Sequence, residues 1–356
     1  MRSKNTERAG VYMQEPEHSR RTARPGFRLM ILAFSTGAVF LLSLPLGRYY
    51  IPVAEVVSAL VGTLLPGQHS IPETLQTVLF NIRLPRIVVG MLVGAVLSAA
   101  GAVYQGMFRN PLVSPDILGA SAGAGFGAAL AIWCSWGIIA TQISAFACGL
   151  AAVLAAWSIS CRMRHAPMLA LVLSGMLIST LFSAGTSAVK YIADPLDKLP
   201  AITFWLMGSL AACSTRDAVL LAAGAVAGLV PLLLVRWRLN VLSLGDEEAQ
   251  ALGLETGRLR FMVIICATLM TTVSVSVCGM VGWVGLIVPH LARMIVGPNY
   301  AVLLPASVLL GGAYLLVVDD LARMMAAVEV PLGILTALIG VPFFLFLLRY
   351  NRRDWQ

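Results

Sequence analysis

Residues 87–108 form an almost uninterrupted apolar run that stops at a polar elbow, Arg109-Asn110-Pro111-Leu112-Val113-Ser114-Pro115. About 20 largely apolar residues in a helix cross the hydrocarbon core of a bilayer. Two closely spaced prolines cannot lie inside one regular helix, because each lacks an N–H and its ring collides with the preceding turn. Two helices must therefore turn at the elbow. Runs of comparable length recur at 27–47, 117–136, 138–160, 168–189, 218–235, 261–278, 281–294, 303–324 and 332–348. The pattern predicts an all-α polytopic membrane protein of about ten transmembrane helices. Charge content agrees: 12% of the 356 residues are charged, where a soluble domain carries roughly 25%.

The run at 281–294 is short, and Gly279, Gly282 and Gly285 predict a break or a partial span there. Residues 1–26 are polar and basic and are expected to be a disordered tail. The apolar run after them has no small-residue cleavage site, which points to an uncleaved first helix and not to a signal peptide. The transmembrane domain is then 27–349, with a second short tail at 350–356. An even number of spans puts both tails on one side. With that side cytoplasmic, 18 of the 25 basic residues fall inside and 7 outside, the asymmetry expected of inward-facing loops. A faint internal repeat is also visible. Gly101 precedes Pro111 by ten positions, and Gly279 precedes Pro289 by the same interval.

Several chemistries have no support. The only lysines are Lys4, Lys190 and Lys198, and none follows a glycine, so the phosphate-cradling loop of an ATPase is absent. The six cysteines and four histidines are dispersed, with no pair at metal-ligand spacing. Basic residues flank apolar runs instead of gathering on a soluble face, which argues against nucleic acid. Acidic residues lie in tails, loops or span ends, with Asp319 and Asp320 nearest to a span interior. An ion-coupled secondary transporter usually keeps an ionisable group inside the membrane, so it has little support here and stays as the lesser alternative. A sodium site built from carbonyls would escape this test. An intramembrane enzyme would need a catalytic dyad or metal cluster within the spans.

The interior segment 236–260 carries Asp246, Glu247 and Glu248, which suit a helix N-terminus because the backbone dipole is positive there. Gly253 reads as the stop of that helix, allowing a second short helix after it. Leu244, Ala251, Leu252 and Leu254 leave an apolar surface on a polar loop. A helix lying on lipid would favour basic residues, so this acidic one is expected to meet a protein. On the third span, Gly119, Gly123 and Gly127 have the spacing for close helix approach, which is favoured over a pore-lining role. On the fifth, Gly175, Ser179 and Ser183 make one small, mildly polar stripe. Pro342 is expected to kink the tenth span.

Arg83-Leu84-Pro85-Arg86, Gln105, Asn110-Pro111-Leu112, Gly285-Leu286-Ile287-Val288-Pro289-His290-Leu291-Ala292-Arg293 and Pro331-Leu332-Gly333 together resemble the permease subunits of ABC importers for ferric siderophores, haem and vitamin B12. The likeness runs from about Arg83 to the C-terminus. It implies a vitamin B12 permease-like fold in a bacterial cytoplasmic (inner) membrane and a homodimer. It also implies two separate ATPase subunits carrying ATP-Mg and a soluble substrate-binding protein. No cofactor, metal or catalytic residue is expected on this chain. The implied cargo is an iron chelate, a ferric siderophore first, with haem or cobalamin as the alternative. By the same likeness Gly245, Glu247, Ala249, Leu252 and Gly253 belong to a coupling helix that docks on the ATPase. Arg83, Arg86 and Arg323 would meet carboxylates of the binding protein. Asn110 and Leu112 would line an inner gate, and Ser179 and Ser183 the pathway. The segment 162–167 does not match the family's small-residue gate and is assigned none.

Overall fold

A computed structural model describes residues 25–47, 49, 51–64, 72–163, 167–326 and 328–350. The tail residues 1–24 and 351–356, Arg48 and the 164–166 connection lie outside them, and with them the expected tail disorder. Among the described residues all regular structure is helical. The helices are α1 (Pro25–Ser43), α2 (Val53–Leu64), α3 (Glu73–Gln76), α4 (Leu84–Met107), α5 (Ala120–Trp133), α6 (Ile138–Arg162), α7 (Pro167–Ile192) and α8 (Lys198–Met207). They continue as α9 (Thr215–Leu234), α10 (Arg236–Leu242), α11 (Asp246–Ala251), α12 (Thr256–Cys278), α13 (Val284–Val296), α14 (Tyr300–Met324) and α15 (Leu332–Tyr350).

Seven helical stretches are long and apolar enough to cross a membrane, and α5, α13 and the 332–346 part of α15 are shorter apolar helices. The centre of the bundle is α4 and α12: 78% and 72% of their apolar windows are buried, against 17% for α1. α4 packs along α14 and also touches α12, α13 and α9.

Several expected boundaries are corrected. The second span does not begin at Ile87, because helix is continuous over Glu73–Met107, 35 residues in all. A wider π-helical stretch, Thr77–Arg83, precedes Pro85, and widening the helix there accommodates a residue that cannot donate. α1 already begins at Pro25, inside the segment expected to be a tail. The third span starts late, because Pro115–Leu118 forms a 3₁₀ turn and Gly119 adopts φ 89° before α5. The break before α13 falls at Gly279–Trp283, and Pro289 lies within the helix. α2, α8 and α10 were not anticipated. The Gly–Pro repeat does not join equivalent positions: Gly101 is helical, whereas Gly279 caps the end of α12 with φ 73°.

Close backbone approach holds the centre together. In lipid, helices gain little from hydrophobic burial and associate through tight packing and interhelical hydrogen bonds. Gly94 lies against Gly311 of α14, and Gly101 against Gly285 of α13. The Ser98 hydroxyl donates to the Ser307 carbonyl at 2.6 Å, and Tyr300 OH to the Ala102 carbonyl at 2.8 Å. Gly123 and Gly127 meet the backbone of α6 at Cys148 and Ser144, so the small residues of α5 serve packing. A methyl at Gly101 would collide with backbone, which cannot rotate away. Gly101→Ala is therefore expected to destabilise by about 1–3 kcal/mol through overpacking. Gly37→Ala, in open space on α1, should be neutral or stabilising by a few tenths to about 1 kcal/mol through helix propensity. Thermal melts of the two variants in one detergent make the comparison.

Candidate functional site

Each end of the bundle carries a polar constellation. The first gathers the ends of α1, α4 and α14. Arg83, 5% exposed, donates to the carbonyls of Leu44 at 2.7 Å, Pro45 at 3.0 Å and also Tyr49, fastening the chain that leaves α1. Arg86, 7% exposed, forks onto Asp319 at 2.8–3.2 Å and onto Glu329 at 2.9 Å. Arg323 pairs with Asp319 at 3.2 Å and with Asp320, and donates to the Leu46 carbonyl at 3.3 Å. Ser43 donates to Asp320 at 2.6 Å. Two guanidiniums, Arg86 and Arg323, thus meet three carboxylates, while Arg83 is satisfied by backbone carbonyls alone.

Arg83, Arg86 and Arg323, the residues implied to meet a binding protein, are therefore largely buried. All three point inward and are engaged by acceptors of this chain. The pair closest to solvent is Arg86–Glu329, whose carboxylate side chain is 29% exposed. Asp319 and Asp320, the nearest candidates for an intramembrane ionisable site, are both held by arginines. Toward the same end, a cavity of about 460 Å³ opens between α5, α6, α8, α9 and α12. Gln142, Lys198, Trp205 and Asp217 are among its lining residues, none of which the sequence singled out.

The other end holds the elbow and α11. Asn110 Oδ1 accepts from Leu112 N at 2.9 Å, a local turn that leaves Leu112 exposed. Beyond it, Ser121 donates to Asp116. Desolvation lifts the Asp116 carboxyl above the usual carboxylate range, and the Ser121 hydrogen bond opposes that shift. The Ser179 hydroxyl returns to its own helix at Gly175 O, 2.8 Å away, and faces Gly119 just past the elbow. Ser183 is exposed on α7. The structure thus brings Ser179, but not Ser183, next to the segment leaving the elbow.

α11 starts at Asp246 with its three acids in the first turn. Gly253, φ 80°, ends it, with Leu254 N donating to Ala249 O at 3.0 Å. No second short helix follows: Thr256 begins α12 directly. Leu244 and Leu252 stand out from the surface at 52% and 64% exposure. Of the five residues assigned to coupling, Glu247, Leu252 and Gly253 face outward, while Gly245 and Ala249 face inward. Between the elbow and α11 lies a cavity of about 600 Å³ lined by Phe108, Arg109, Met168, Asp246, Glu248 and Arg260 among others. Asp246 forms an ion pair with Arg260, a contact with no local sequence signal. No cluster suited to a metal ion occurs among the described residues.

A model of the FecCD transport family matches residues 33–350. The molybdate import system permease protein MolB of Haemophilus influenzae is 40% identical over 321 residues, spanning 89% of this chain and 93% of that protein. The Fe(3+)-citrate import system permease protein YfmE of Bacillus subtilis is 37% identical over 340 residues, 94% and 98% of the two chains. Among solved structures, an inward-facing ABC transporter of metal-chelate type superposes with a TM-score of 0.83 at 38% identity, covering 91% of this chain and 99% of that one.

Proposed function

The chain belongs to the FecCD transport family, a family of non-catalytic, multi-pass permeases of the cytoplasmic membrane, and from that premise we propose that it is the translocation subunit of an ATP-driven importer for an iron chelate. Two copies form the conduit. Separate ATPase subunits bind at the α11 end, in the cytoplasm with both termini, and a soluble binding protein docks at the arginine end. Ferric siderophores are the proposed cargo, in line with the iron-citrate permease among the relatives.

The observation that carries this reading is α11: an acidic helix flanked by Leu244 and Leu252, both uncovered on a polar surface. Anionic headgroups would repel such a helix, whereas a groove on a protein would receive it. Glu247, Leu252 and Gly253 are the contacting residues. Gly245 and Ala249 hold the helix in place from behind. At the other end, Arg83 and Arg323 support the docking surface from beneath, and Arg86 with Glu329 forms its accessible edge. Asn110 and Leu112 border the inner opening. Ser179 and Ser183 line the pathway on α7.

A second reading, molybdate as cargo, is favoured by the 40% identity to a molybdate permease. Proteoliposomes containing the permease, its ATPase and its binding protein decide between them. Radiolabelled ferric siderophore should accumulate only with ATP inside the ATPase-bearing compartment, and molybdate should not compete. Accumulation under an ion gradient with no ATPase present would replace the proposal by a secondary carrier.

A further inference from the structure

Residues 236–251 hold two short helices mounted on different long ones. α10 is sunk into the core by Leu239 and Leu242, 3% and 2% exposed. It is also tied to the start of α14. Asn240 Oδ1 accepts from Tyr300 N at 2.8 Å, and Asn240 Nδ2 donates to Asn299 Oδ1 at 3.1 Å. α11 is fixed elsewhere. Asp246, its first residue, pairs with Arg260 of α12, and Ala249 behind it is fully buried. Arg260 is 9% exposed, and Asp246 is its ion-pair partner among the described residues.

Between the two mounts lies Gly245 with φ 142°, in the region that favours glycine. A side chain there would press on Glu248 and come within 3.1 Å of Arg109 Nη1, so the elbow after α4 abuts the same joint. α12 then runs unbroken from Thr256 to Cys278 through the middle of the bundle. At a rise of 1.5 Å per residue it spans about 35 Å. At its far end the Cys278 carbonyl accepts from Ser209 N at 2.8 Å. A displacement applied to the start of α12 is therefore delivered close to the opposite face.

We propose that the Asp246–Arg260 pair is the pin that hands movement of α11 to α12, with Gly245 as the joint and Asn240 holding α10 still on α14. The inference rests on the importer reading, and it assigns Asp246 and Arg260 as positioning residues for transport. Without the pin, α11 tilts on its joint while α12 stays put. Docking of the ATPase, which uses the outward face of α11, is retained.

Asp246→Asn, Arg260→Gln and the reversed pair Asp246→Arg/Arg260→Asp test this in the assembled importer. ATPase co-purification and the hydrolysis rate should persist in the single variants. Uptake per ATP hydrolysed should drop about tenfold, within the range of inter-site couplings. The reversed pair should restore at least half of the lost ratio. An unchanged ratio in both single variants overturns the proposal. So does loss of ATPase binding in step with uptake, because the pair then serves docking or folding. Failure of the importer reading shows separately, in the unmutated protein, as uptake that needs no ATPase.

Discussion

Asp319→Ala is expected to lower stability by about 3–5 kcal/mol, the usual cost of stripping one partner from a buried ion pair. Asp319 is fully buried and is shared by Arg86 and Arg323. Its removal takes three of the five hydrogen bonds that Arg86 makes to carboxylates. It also leaves Arg86 with only Glu329 and Arg323 with only Asp320 as carboxylate partners. Solvation cannot make good the loss at 5–7% exposure. Glu329→Gln should cost less, under about 1 kcal/mol, because a 29% exposed partner is partly solvated and the amide still accepts. Replacing both members, Arg86→Met with Asp319→Leu, keeps the remaining charges balanced and should recover most of the loss. Melting midpoints of the three variants in one detergent report the order. If the double replacement melts as low as Asp319→Ala, the penalty comes from lost packing and not from unpaired charge.

That cluster also marks where sequence reading stopped. Arg83 and Arg86 stand out because they adjoin a span, but whether an arginine at a span end reaches for water or turns inward depends on its acceptors. Here the acceptor on α14 is 233 positions away, and nothing local announces it. Local chemistry was legible by contrast. Two prolines placed the elbow, the acids at Asp246–Glu248 marked a helix start, and Gly253 marked its end, because dipole and left-handed turn act within one helical turn. Hydropathy found the long spans for the same reason. It overlooked α2, α8 and α10, which are too short for a span window, and it began the second span at Ile87 because it could not foresee a π-helical turn ahead of Pro85. The small residues of α5 were recognisable as a packing surface, whereas those of α4 carried no such signal. Their partners, Gly285 for Gly101 and Gly311 for Gly94, emerge only from the tertiary arrangement.

The largest functional effect is expected from Leu244→Asp combined with Leu252→Asp, which should abolish ATPase association and uptake together. Burial of a leucine in an interface contributes about 1.5–3 kcal/mol, so two of them correspond to at least about a hundredfold in affinity. A carboxylate forced into the same groove adds a desolvation penalty. Both side chains are more than half exposed in the isolated chain, so the substitutions should leave its melting midpoint unchanged. Stoichiometry of the purified complex reads the association directly, and uptake follows it. The contrast with Asp246→Asn separates two duties of one six-residue helix. On the proposed reading, the leucines flanking it hold the ATPase and its Asp246 delivers the motion, so one variant should lose the partner while the other keeps it and runs idle. Normal association in the double-aspartate protein would mean that α11 does not dock. The uncovered leucines would then need another apolar partner, and the acidic first turn argues against anionic lipid as that partner.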